Sequence, residues 1–209
     1  MIIKQKIIQQ TLKVNCDKDG IKKASQSINE GGIVVFPTDT VYGIGCNPYN
    51  TSAIKQIYEI KSREISKPFH VLVYSKGLAE QIAHFDKVTR KIADRFWPGP
   101  LTMILRVTDN KLKESLNLNN KIAIRVPNHR CTLDLLEKCN FIIGTSANIS
   151  GETSFTNPDE CFNNIKGYDI FVDGGAITSK GESTIIEIVN DEIKIIREGS
   201  LSKKEILDL

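Results

Sequence analysis

The chain has 209 residues, 40% of them hydrophobic and 25% charged, with a formal net charge of +3. That is enough for one well-buried core but short of two generous domains of about 100 to 150 residues each, and too small a charge to mark a nucleic-acid binder by electrostatics alone. The opening M-I-I-K-Q-K-I-I-Q-Q interleaves charge with short apolar pairs, and no segment has the apolar length of a signal peptide or a membrane span. One domain over residues 1–209, in the cytoplasm, is therefore expected. The five cysteines are odd in number and form no C-x-x-C pair, which favours neither a disulfide framework nor a zinc ribbon and predicts reduced, mostly buried thiols.

In chain order, residues 7–14 read as a first strand and Asp17 to Glu30 as a helix with Ile21, Ala24 and Ile28 inward, stopped by Gly31-Gly32. Ile33 to Phe36 is a short unbroken apolar run, the pattern of a strand covered on both faces. Pro37 ends it, and Thr38-Asp39-Thr40 puts small polar groups where a core would continue, with Gly43 and Gly45 offering close backbone approach. Helices follow at 50–60, capped by Asn50, and at 76–83 and 87–96, around a strand at 70–74; Trp97-Pro98-Gly99-Pro100 breaks the last helix. Residues 101–107 and 121–126 read as strands joined by a polar loop, 131–139 as a helix, and 141–144 as a buried strand running into Thr145-Ser146-Ala147-Asn148. A helix starting at Asn157-Pro158, a strand at 168–172, the Asp173-Gly174-Gly175 loop and a hairpin of 184–189 with 192–197 about Asn190-Asp191 complete an interleaved α/β pattern.

Lys61, Arg63 and Lys67 lie within seven residues where a helix gives way to a strand. Such a run is often a solvated face; here it also suits a polyphosphate, because Arg supplies a planar fork and Lys a mobile point charge. Arg125 and Arg197 each end an apolar strand, where a buried guanidinium needs a carboxylate partner from the protein or a ligand. Of the two sources, the ligand is the better reading. The stretch 145–151 and the pair Ser183-Thr184 offer hydroxyls at strand ends, as an ordinary loop also would. Gly174 to Gly181 lacks the residues of a phosphate loop, Gly43-Ile44-Gly45 lacks a third glycine, and His70, His84 and His129 have no metal-ligand spacing.

Taken in order, P-T-D-T-V-Y-G-I-G at 37–45, K-S-R with K-P at 61–68, W-P-G-P-L-T at 97–102, I-R-V-P at 124–127, T-S-A-N-I-S-G at 145–151, then D-G-G, S-T-I and R-E-G, closely resemble the YrdC/TsaC family. The resemblance implies an α/β fold with a twisted, mostly mixed or parallel sheet, flanking helices and a large concave basic cavity. It implies a nucleotidyltransferase that makes threonylcarbamoyl-AMP and pyrophosphate from L-threonine, bicarbonate and ATP with Mg2+, for tRNA modification. It puts Thr40, Arg125, Ser146 and Ser183 around threonine, and Arg63, Lys67, Lys121, Asn148, Thr156 and Arg197 around ATP. Lys61 completes the K-x-R element, with Lys61 and Arg63 in the catalytic role. Leu72 stands where some longer relatives have a substrate-contacting histidine, and Glu182 where proline is common. A downstream tRNA threonylcarbamoyl transferase is the implied partner, with room for a weak contact to tRNA and no membrane. The competing readings are an RNA-binding module using a basic concave surface, and a carbamoyl-transfer module of the kind embedded in hydrogenase-maturation proteins.

Overall fold

The computed structural model describes residues 11–189 and 192–208. Strand β1 (Leu12–Asn15) leads into α1 (Lys18–Asn29), whose N-cap Asp17 accepts from the Gly20 amide at 2.8 Å. Strands β2 (Val34–Phe36) and β3 (Gly43–Gly45) flank the P-T-D-T turn, and α2 (Thr51–Ile60) is capped by Asn50 as expected. There follow β4 (His70–Val73), α3 (Lys76–Ile82), α4 (Lys87–Phe96) and β5 (Leu101–Arg106), then a short α5 (Asn110–Ser115) inside the segment expected to be a loop. The chain continues through β6 (Lys121–Arg125), α6 (Arg130–Cys139), β7 (Phe141–Ser146), α7 (Pro158–Asn164) and β8 (Ile170–Asp173). Strands β9 (Thr184–Val189) and β10 (Glu192–Arg197) precede α8 (Lys203–Leu207), which Ser202 and Glu205 close with a capping box. The start of the expected first strand at 7–10 and the Asn190-Asp191 turn lie outside the described residues.

The strands form one ten-stranded sheet in the order β1-β8-β2-β3-β7-β4-β6-β5-β9-β10. Pairings β1/β8, β2/β8, β4/β6 and β5/β9 are parallel and the rest antiparallel, so the sheet is mixed. Both faces are covered. Val34 and Phe36 pack with α1 and α6 through Ile21, Ile28 and Leu135, while Ile33 and Val35 join the larger cluster on the other face. That two-sided burial is why β2 reads as an unbroken apolar run. The approach of β3 to β7 depends on Gly45: a Cβ there would lie 1.9 Å from the Ile143 carbonyl oxygen.

The cysteines depart from expectation. Cys16, just after β1, is disulfide-bonded to Cys131 in the first turn of α6, with Cα atoms 5.6 Å apart. Their 115-residue separation hides a proximity that arises only when α6 packs across α1. Cys46 and Cys161 are free and buried, and burial pushes both thiols up to about 12.

Candidate active site

A cavity of about 720 Å³ opens where β2, β6 and β7 end and β4 begins, lined also by the segment after α2 and by Glu182, Ser183 and Arg197. The expected threonine-side residues Thr40, Arg125, Ser146 and Ser183 all line it, as do Lys61, Arg63, Lys67, Asn148 and Arg197. Lys121 and Thr156 do not. Lys121 opens β6, exposed and paired with Glu187; a strand advances about 3.3 Å per residue, so it stands roughly 13 Å from Arg125 at the strand's other end. Thr156 gives its carbonyl to the Ile177 amide at 2.9 Å.

The turn after β2 is shaped by its own hydroxyls. Thr38 Oγ1 donates to the Val41 carbonyl at 2.7 Å and accepts from the amides of Thr40 and Val41, which folds the turn back and presents Thr40 to Arg125. Arg125, 5% exposed at the end of β6, donates from Nε to the Gly99 carbonyl at 3.0 Å and from Nη1 to Thr40 Oγ1 at 3.0 Å. Its Nη2 pairs with Asp39. The carboxylate partner expected from a ligand is thus supplied first by the protein, because the T-D-T turn and the strand end converge. The W-P-G-P-L-T break has a role here: it brings the Gly99 carbonyl to Arg125, and its Thr102 Oγ1 lies 2.9 Å from Ser183 Oγ. The D-G-G motif stays outside the lining; Tyr42 donates its hydroxyl to the Gly175 carbonyl at 2.8 Å and accepts from the Gly174 amide.

Lys61, also in the lining, caps α2 and is 2% exposed. Expected among the catalytic groups, it directs its ammonium onto protein acceptors: the Ser146 carbonyl, the Asn148 carbonyl at 2.7 Å and Asn148 Oδ1 at 3.1 Å. An ammonium has three donors, so Lys61 is a strut for segment 146–148 in this state. Asn148 completes it by donating Nδ2 to the Glu152 carbonyl at 2.6 Å. Burial, then the charge of Arg63, lowers the Lys61 ammonium to about 8. Arg63 donates to the carbonyls of Lys67 (2.9 Å) and Pro68 (3.3 Å), with its guanidinium 5.3 Å from the Phe69 ring centroid. Arg197 donates from Nε and Nη2 to the Ser183 carbonyl at 3.2 and 2.8 Å and pairs through Nη1 with Glu182.

Asp39, Ser154, Glu182 and His70 belong to the site although sequence reasoning did not assign them. The signal for Asp39 was its place between two threonines opposite a strand-end arginine. His70, half-buried in the cavity wall, is pushed down to about 3 by burial first and then by Arg197, Arg125 and Arg63, which makes it a neutral imidazole among cations. Burial pushes Glu182 up, but Ser154, Arg197 and Ser146 together hold its carboxyl below the usual range.

Comparison with known proteins identifies the family of the chain. The Sua5_yciO_yrdC family model, described as telomere recombination, matches residues 26–199. The chain belongs to the Sua5/YciO/YrdC family. A Methanocaldococcus jannaschii relative, provisionally named a threonylcarbamoyl-AMP synthase, is 38% identical over 175 residues and aligns across 83% of each chain. The Pyrococcus abyssi threonylcarbamoyl-AMP synthase is 34% identical across 89% of this chain and 56% of its own length. The crystal structure of P. abyssi Sua5 complexed with L-threonine superposes with a TM-score of 0.85 at 32% identity, covering 95% of this chain and 60% of the other. This family member therefore spans little more than half the length of its Pyrococcus counterpart.

Proposed function

We propose that this chain is a threonylcarbamoyl-AMP synthase, a nucleotidyltransferase that joins L-threonine, bicarbonate-derived CO2 and ATP into threonylcarbamoyl-AMP and pyrophosphate. The observation that carries the reading is one cavity lined by Lys61, Arg63, Lys67, Arg125 and Arg197 together with several hydroxyls. Arg125, with Thr40 on its Nη1, suits an amino acid's carboxylate, and Arg63, Lys67 and Arg197 suit a triphosphate. Relatives named for this activity support it, as does the threonine complex of the P. abyssi protein.

In this reading the amine of threonine adds to CO2, forming an N–C bond and losing a proton. A carbamate oxygen then attacks the α-phosphorus, and the bond to the β-phosphate oxygen breaks as pyrophosphate leaves. No protein nucleophile is required. The chain gathers three anionic groups in a partly desolvated hollow and opposes their repulsion with fixed guanidinium and ammonium groups. Lys61 acts by holding the 146–148 wall, and Arg63 touches phosphate with the guanidinium edge its carbonyl braces leave open. Among the described residues no three His, Cys, Asp or Glu side chains cluster to hold a metal. Mg2+ would enter on the phosphates' own oxygens and water, neutralising charge there. The product would pass to a step that transfers its threonylcarbamoyl group to tRNA.

Purified protein incubated with ATP, bicarbonate and single amino acids tests this. Pyrophosphate release should require threonine and should be lost in Arg63→Ala; release independent of the amino acid would refute the proposal, and full activity in Arg63→Ala would refute the phosphate assignment.

A further inference from the structure

Glu182 is one of three carboxylates lining the cavity, with Glu64 and Glu152, and the one bonded to a lining arginine. Its Oε2 pairs with Arg197 Nη1, and its Oε1 accepts from Ser154 Oγ at 2.7 Å. Its field also reaches Lys61, Arg63 and His70, which puts it among the groups that would face the phosphates. A carboxylate there repels the ligand the cavity is built to take, so its placement calls for a function.

The surrounding framework shows which part of this pair can move. Arg197 is anchored twice on the Ser183 carbonyl through Nε and Nη2, and only Nη1 faces Glu182. The backbone at Glu182 is fixed as well. Its carbonyl accepts from the Ser200 amide at 2.8 Å, and Gly199 packs so closely that a Cβ there would stand 2.2 Å from that carbonyl oxygen. What remains free is the partner of one guanidinium edge. Once released from Arg197, the carboxylate keeps the Ser154 hydroxyl and is not left unpaired.

Building on the nucleotide reading of this cavity, we propose that Glu182 is an internal counter-anion: it holds Arg197 Nη1 in the free protein, yields it to a phosphoryl oxygen when ATP binds, and reclaims it after the reaction, so weakening the hold on pyrophosphate and speeding its release. Exchange of one anion for another at a fixed guanidinium costs the site little reorganisation. The standing charge of Glu182 keeps small polyanions from remaining once the adenylate has formed.

The test is pyrophosphate binding by calorimetry with magnesium present, in wild type, Glu182→Gln and Glu182→Ala, together with product inhibition of threonine-dependent turnover. Both variants should bind pyrophosphate about tenfold or more tightly than wild type, and should be inhibited at correspondingly lower pyrophosphate. The direction is diagnostic, since loss of a merely structural contact would weaken binding. Normal wild-type turnover with unchanged or weakened pyrophosphate binding in both variants would overturn this inference alone. Wild-type protein that binds neither ATP nor pyrophosphate would remove the nucleotide reading and the inference with it.

Discussion

Replacing Arg125 with alanine separates what this residue does for the fold from what it does for the substrate. Its guanidinium is buried and bonded to Gly99, Thr40 and Asp39, and the Asp39 side chain is itself only 13% exposed. With Arg125 gone, Asp39 Oδ1 keeps only the Asn128 amide at 3.0 Å, and Oδ2 already has no partner. Stranding one member of a buried ion pair costs about 3–5 kcal/mol, to be read from urea unfolding. The lost charge-assisted contact to a carboxylate is worth about 1.5–3 kcal/mol, or roughly 10- to 150-fold in the threonine KM for pyrophosphate release. Adding Asp39→Asn removes the stranded charge, so the double variant should regain most of the stability while its threonine KM stays high. Recovery of both quantities in the double variant, or an unchanged threonine KM in Arg125→Ala, would refute the role given to Arg125.

Lys61, lowered from 10.5 to about 8, binds its proton less readily folded than unfolded, so its contribution to stability is present above pH 10.5 and is lost as pH falls toward 8. Its neutral amine has one donor fewer for segment 146–148, so turnover should decline as pH rises through about 8, and Lys61→Arg should move that decline upward in a pH–rate profile. His70, lowered to about 3, favours the fold above pH 6.5 and loses that contribution as pH falls from 6.5 toward 3. Acid unfolding should therefore be shallower in His70→Gln, and NMR of the wild-type imidazole should find it neutral at pH 5. The Cys16–Cys131 bond closes a loop of about the size for which chain entropy assigns roughly 4.7 kcal/mol; a reductant should lower the melting temperature of wild type and leave that of Cys131→Ser unchanged.

The parts of the fold legible in the sequence were those whose physics is local. The run at 33–36 announces a two-sided strand, Asn50 and Asn157 announce helix starts, and hydroxyls following apolar runs at 38–40 and 145–146 mark strand ends that open on a cavity. Strand β3 escaped because two of its three residues are glycine, and α5 because only Leu112 of its six residues is buried, which leaves no periodicity to read. The site's charges were found by type but not by partner. Arg125 and Arg197 were legible as strand-end cations, yet Asp39 and Glu182 could be paired with them only once the sheet order brought separations of 86 and 15 residues together. Lys121 shows the converse: it shares a strand with Arg125 but stands at the end away from the cavity. Cys16 and Cys131 likewise needed α6 laid across α1 before their proximity existed.

The central claim is that one cavity lined by cations and hydroxyls joins an amino acid to a nucleotide through a carbon taken from bicarbonate. Incubating the wild-type chain with ATP, L-threonine and carbon-13 bicarbonate, then weighing the nucleotide products, tests it most directly. The account predicts an adenylate heavier by one labelled carbon, formed one for one with pyrophosphate and absent when threonine is withheld. An adenylate without the label, or pyrophosphate produced without threonine, would contradict it.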